Sequence, residues 1–173
     1  MSSRLAISLV SICLFAGAAT SCRNRAQADS AALTQAPVVR LERGACFGRC
    51  PQYAVELFEN GSVRFDGHKN VDSLGAHQST VTSKAVSALR KEFVSAAFES
   101  ADSIYAMGSP RCGQYVTDGP QMVISAMIGS SMRTVRLDTG CTGAPRFLKT
   151  LAARIDSVAG THLWITSNKE GAR

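Results

Sequence analysis

Several features are missing, and each absence narrows the reading. No apolar run reaches 18 residues, so no segment reads as a membrane-spanning helix. The 19 Lys and Arg residues are scattered singly and never form a run of five or six. That argues against a nucleic-acid reader, which would carry a basic stripe. There is no Gly-x-Ser-x-Gly, phosphate loop, His-Glu-x-x-His or dinucleotide fingerprint. His68, His77 and His162 are isolated from one another. No residue is therefore nominated as catalytic or as a metal ligand, and no cofactor is implied. The formal charge of +6 is mild and reads as a solvated basic surface.

What is present begins with an address. Met1 to Arg4 carries one positive charge, and Leu5 to Ala18 is apolar. That length fits the hydrophobic region of a signal peptide and is short for a bilayer span. Ala19, Thr20 and Ser21 then precede Cys22. The segment resembles the lipobox of bacterial lipoproteins, in which small residues precede a cysteine that is acylated and becomes N-terminal. It departs from that pattern in Ala19, where Leu is usual, and in Ser21. Ala16-Gly17-Ala18 is a competing cleavage site that would release a soluble exported protein. Cysteine parity favours the lipoprotein. Of Cys13, Cys22, Cys46, Cys50, Cys112 and Cys141, the first leaves with the leader. Lipid on Cys22 leaves four, an even number, whereas a free Cys22 leaves an odd thiol in an exported chain. Arg23 stands where lipoproteins retained at the inner membrane often carry Asp, so the resemblance implies the outer membrane. Arg23 and Arg25 beside the anchor add attraction to anionic headgroups. Residues 1–21 are thus expected to be a signal peptide and residues 22–37 a polar, flexible tether. A single domain follows over 38–167, then a polar tail over 168–173.

Within the domain, period gives an α+β fold. Val38 to Arg43 reads as a strand ending at Gly44. Tyr53, Val55 and Leu57 alternate with polar neighbours, as do Val63 and Phe65, with Asn60-Gly61 between the two runs. That is a strong hairpin signal, because both residues tolerate positive φ. Gly75 to Val81 reads as a further strand. Val86, Leu89, Phe93 and Ala97 recur at helical spacing behind a Thr82 or Ser83 cap. Residues 98–120 look irregular. Met122 to Ile128 and Met132 to Asp138 form a second hairpin across Gly129-Ser130-Ser131. A helix then starts at Pro145, buries Phe147, Leu148, Leu151, Ile155 and Val158, and stops at Gly160. The expectation is one antiparallel sheet built from two hairpin-helix units, with both helices on one face. Leu163-Trp164-Ile165 packs back onto the core or adds an edge strand.

The cysteines are the one chemical constellation. In an exported chain, disulfides are the default. Four cysteines allow three connectivities, which sequence does not separate. Cys46–Cys50 is preferred because a spacer containing Gly48 can close, and Cys112 and Cys141 flank the second hairpin. A bridge closing that longer loop would stabilise by about 3–4 kcal/mol. A redox or copper-handling pair at Cys46 and Cys50 is the alternative. Cys-x3-Cys-Pro is similar to the motif of copper-delivery proteins of respiratory oxidase assembly, which add a distal His, and thiolates with imidazole suit Cu(I). Those proteins place the cysteines near a helix start, whereas a strand pattern follows here, and Arg49 is the one nearby cation to lower a thiol pKa. A four-cysteine zinc site would need two close pairs.

ERGACFGRCPQYAVELFENGSVRFDG, with Thr117-Asp118-Gly119-Pro120 and the Cys141…Ala144-Pro145 helix start, resembles a family of bacterial, mostly exported domains of unknown function. In that family a Cys-Phe-Gly-x-Cys-Pro-x-Tyr segment leads into a hairpin. The resemblance runs from about Val38 to Ile165 and implies domain boundaries but no activity.

Remaining candidates have simpler readings. Asp118 is a turn former, and His162 is a polar cap at a helix end. Glu56, Glu59, Asp66 and Asp138 are read as solvent-facing strand or turn residues. Phe47 and Tyr53 beside the cysteine turn could form an exposed recognition patch, but packing against the disulfide and the second helix is the preferred expectation. The chain is thus read as a membrane-anchored envelope lipoprotein carrying a non-catalytic binding or structural domain. Its partner would be an envelope protein or another envelope component.

Overall fold

The computed structural model describes residues 35–165. The expected leader, Cys22, most of the tether and the polar tail lie outside the described residues.

Among the described residues, seven strands and two α-helices follow in chain order: β1 (Val39–Arg43), β2 (Gln52–Leu57), β3 (Ser62–Lys69), β4 (Gly75–Thr80), α1 (Ser83–Ser95), β5 (Ile104–Tyr105), β6 (Gln121–Ile128), β7 (Ser131–Asp138) and α2 (Arg146–Ala159). They form one sheet in the order β4-β3-β2-β1-β6-β7-β5. β1 sits at the centre and pairs antiparallel with both β2 and β6, with Val39 opposite Leu57 on one side and Ala126 on the other. A strand whose Val39 and Leu41 are fully buried suits that position.

The registers place Val39, Leu41, Val55, Leu57, Val63, Phe65, Ile124 and Val135 on one face. All are buried in a single cluster with Val86, Leu89 and Phe93 of α1 and Leu148, Leu151 and Ile155 of α2. Both helices cover that face, and Arg154 of α2 forks onto Glu92 of α1 at 2.8–2.9 Å. The architecture is therefore α+β with both helices on one side. Thr82 caps α1, its Oγ1 accepting from the Ala85 N–H at 3.2 Å. Gly160, with φ +69°, closes α2 in the left-handed region that glycine tolerates.

The first half carries the four strands expected of it, β1 to β4, as one antiparallel run. Three local expectations change: the irregular segment, the Asn60-Gly61 loop and the start of α2. The segment read as irregular contributes β5, which pairs parallel to β7 and makes the sheet mixed. The Asn60-Gly61 hairpin forms with a longer loop. Gly61 N–H bonds Phe58 O, Phe58 N–H bonds Ser62 O, and only Gly61 has positive φ. This is a type I turn followed by a glycine bulge. Of the two readings for Leu163-Trp164-Ile165, packing back onto the core holds: residues 161–163 form a 3-10 turn. Trp164 packs back, stacking on Phe65 at 4.8 Å. Pro145 is the N-cap of α2 rather than its first residue.

Candidate functional site

Chain entry and cysteine turn lie at opposite ends of the sheet. Val38 enters beside Leu57 and Met127, at the end that carries the Asn60-Gly61 turn. The β1–β2 connection, Cys46 to Pro51, emerges at the other end. So do the β3–β4, β5–β6 and β7–α2 connections. Loops gathered at one end of a rigid sheet are where binding residues are commonly found.

Cys46 and Cys50 stand at disulfide distance, with Sγ–Sγ 1.96 Å and Cα–Cα 5.8 Å. The closed turn bends at Gly48, whose N–H bonds Cys46 O at 3.0 Å. Its tip points outward. Phe47 is 86% exposed and Arg49 is exposed. The expectation that Phe47 packs against the second helix is thus overturned. Five residues closed by a bridge are too few to fold their own tip back onto the core.

Tyr53 does reach the second helix. Its hydroxyl donates to Asp156 Oδ1 of α2 at 2.6 Å. Arg43 donates to Asp156 Oδ2 through Nε at 3.0 Å and Nη2 at 2.5 Å. The Thr161 hydroxyl donates to the same carboxylate at 3.2 Å. Three donors on one half-buried carboxylate tie β1 and β2 to the end of α2, directly below the cysteine turn. Burial pushes the Tyr53 phenol well above its ordinary pKa, and the Asp156 charge adds to it. Burial pulls Arg43 down, but Asp156 and Tyr53 more than offset that and leave its pKa raised. Sequence reasoning missed this tie. One signal was available: Arg43 is in phase with buried Val39 and Leu41, and a charge in phase with a core calls for a partner.

Cys112 and Cys141 also stand at disulfide distance, with Sγ–Sγ 1.98 Å. They join the β5–β6 segment to the β7–α2 connection. Backbone bonds Val116 N–H to Gly140 O, Thr142 N–H to Gln114 O and Gly143 N–H to Cys112 O reinforce the junction. The Tyr115 hydroxyl donates to Asp138 at 2.8 Å, and that hydrogen bond raises the phenol pKa.

The sheet face away from the helices carries a shallow depression of about 290 Å³ at the same end, lined in part by Glu42, Gln52, His68, Gln121, Val123 and Arg136. It is polar. No side-chain bond engages Arg136 among the described residues. Nearby, Glu56 is held between Arg40 at 3.2 Å and Arg64 at 2.6 Å, so it is not simply solvent-facing. Neither is Asp138. Glu59 pairs with Arg90 at 2.7 Å, and exposed Asp66 lies 3.3 Å from His68. Asp118 occupies a turn with φ +75°. His162 is exposed, and the α2 cap is made by Gly160. Among the described residues no group of three or more His, Cys, Asp or Glu could hold a metal ion.

Compared with known proteins, the chain matches no curated protein. Residues 37–159 match the family described as Domain of unknown function (DUF6438). That match takes in the whole sheet, both helices and all four cysteines of the domain, and the chain belongs to this family.

Proposed function

We propose that this is an outer-membrane lipoprotein of a bacterial envelope, anchored through Cys22, whose domain binds another envelope protein or component without chemistry of its own. The observation that carries the reading is the cysteine turn. It presents Phe47 and Arg49 to solvent at the end of the sheet opposite Val38. Aromatic and arginine side chains are the residue types that dominate binding hot spots. Closing the turn before binding reduces the ordering cost of association.

Two further points support the address. Paired cysteines belong to oxidising compartments. With four cysteines of the domain at disulfide distance in two pairs, Cys22 is the one cysteine left over downstream of the expected leader. A thiol redox or copper-handling role for Cys46 and Cys50 is the second reading. It is favoured by their partial exposure, which leaves that pair open to reductant.

Intact mass of the membrane-extracted protein, with thiol alkylation before and after reduction, tests all of this. The expected result is a chain beginning at a lipid-bearing Cys22 with no alkylation until reduction. Alkylation of Cys46 and Cys50 without reduction would move the case to redox or copper chemistry. A chain beginning at Ala19 would remove the anchor. A photo-reactive residue at position 47 that captures no envelope component, or no more than one at position 130 captures, would sink the role of the turn.

A further inference from the structure

We infer that β4 is a docking edge for a second copy of this chain, paired antiparallel through the same strand. A seven-stranded open sheet has two edges, and here they are built differently. β5 is two residues long, and its flanking backbone is occupied: the Asp102 N–H bonds the Tyr105 hydroxyl, and the Ala106 N–H bonds Ser109 Oγ. That edge is blunted. β4 runs six residues, Gly75-Ala-His-Gln-Ser-Thr80, with no charge, no proline and no register shift against β3. Charge, proline, bulges and shortness are the means by which sheets protect their edges. β4 has none of them, and among the described residues it pairs only with β3.

The chemistry of this edge selects a copy of itself. Two chains of formal charge +6 repel, and an uncharged strand is where they approach at least cost. A two-fold axis normal to the sheet at Gln78 keeps the helices of both copies on one side. It sets Gln78 against Gln78, His77 against Ser79 and Ala76 against Thr80, with no like-charge pair. The same register brings Leu74, 65% exposed, to the Val81-Thr82 end of the other copy. Six residues of edge pairing bury less than the roughly 1,200 Å² of a standard stable interface. The dimer is therefore concentration-dependent. This inference does not rest on the anchor or on the cysteine turn.

The test uses the full chain with Gln78→Cys and a short bis-maleimide, beside Ser130→Cys at the exposed β6–β7 turn. A covalent dimer is expected through position 78, rising with concentration, and not through position 130. Sedimentation of the parent and of Gln78→Lys is the second measurement. Lysine opposite lysine should weaken association about fivefold while circular dichroism stays unchanged. Equal cross-linking at 78 and 130, or a dimer indifferent to Gln78→Lys, overturns the proposal. So does cross-linking only after residues 166–173 are deleted, which would make the tail the occupant. Capture of a different protein at position 78 in place of a second copy overturns it as well.

Discussion

Cys46 and Cys50 close a turn whose tip stands in solvent, whereas Cys112 and Cys141 are each 2% exposed and belong to the core. The sequence separations are 4 and 29. The first bridge shapes a surface that neighbouring strands already hold. Gly44 N–H bonds Gln121 O on one side of the turn, and Asn70 Nδ2 bonds Cys50 O on the other. The second bridge stands in for secondary structure. Between β5 and β6 the chain makes no helix and no strand, and its order comes from the bridge, a few backbone bonds and close glycine contacts. A Cβ on Gly140 would lie 2.0 Å from Val116 O, and one on Gly143 would lie 2.6 Å from Arg111 O. The same covalent chemistry thus fixes local shape in one place and tertiary structure in the other.

The strongest way to break that contrast is to remove each bridge. Cys112→Ala with Cys141→Ala should cost about 3–5 kcal/mol, since it releases the longer loop and hollows a buried site. Cys46→Ala with Cys50→Ala should cost about 2 kcal/mol. Urea unfolding of the two double variants measures both, and equal midpoints would erase the distinction. Under mild reductant, Cys46 and Cys50 should be alkylated before Cys112 and Cys141. Glycine substitution sharpens the contrast at lower magnitude. Gly140→Ala forces a side chain into backbone and should cost about 1–3 kcal/mol. Gly48→Ala meets only Cys46 Sγ at 3.9 Å, so the strain of its +146° φ is the main cost, about 1 kcal/mol. Thermal melts of the pair should rank Gly140→Ala as the less stable.

The two regions also differ in how far they can be read from residues. Elements with a clean period were legible: the alternation of β2 and β3, and the apolar stripes of α1 and α2. Their burial depends on neighbours a few positions away. The central position of β1 was not legible, because a strand's own residues do not say which two partners it takes. Nor was the two-residue β5, which has no period and exists only because β7 offers an edge. Tyr53 was rightly assigned to the second helix. Phe47 was not, since exposure of a turn tip depends on the direction in which the closed turn leaves the sheet. Asp156 looked like one more polar position on a helix. Its role appears only when Arg43, Tyr53 and Thr161 are brought to it from three other parts of the chain.

That carboxylate gives the most discriminating test of what braces the cysteine turn. Tyr53→Phe deletes one donor to Asp156 and leaves Arg43 and Thr161 in place. A hydrogen bond to a charged, half-buried acceptor suggests a loss of about 1–2 kcal/mol at neutral pH. The pH dependence separates this from a simple packing defect. The phenol pKa is raised in the folded chain above its unfolded value of about 10. Above that pH the unfolded state has lost a proton that the folded state retains, so stability falls as pH rises. Below about pH 10 the contribution is fully present. Parent protein should therefore lose stability as the pH rises above about 10, and Tyr53→Phe should lose less, so the gap between them narrows. Tyr115, whose pKa is also raised, leaves a residual slope in both. Urea midpoints followed across that range provide the measurement. Parallel curves would mean that the Tyr53 proton is not held by the Asp156 tie, and the turn's support would then rest on Arg43 and the flanking backbone bonds.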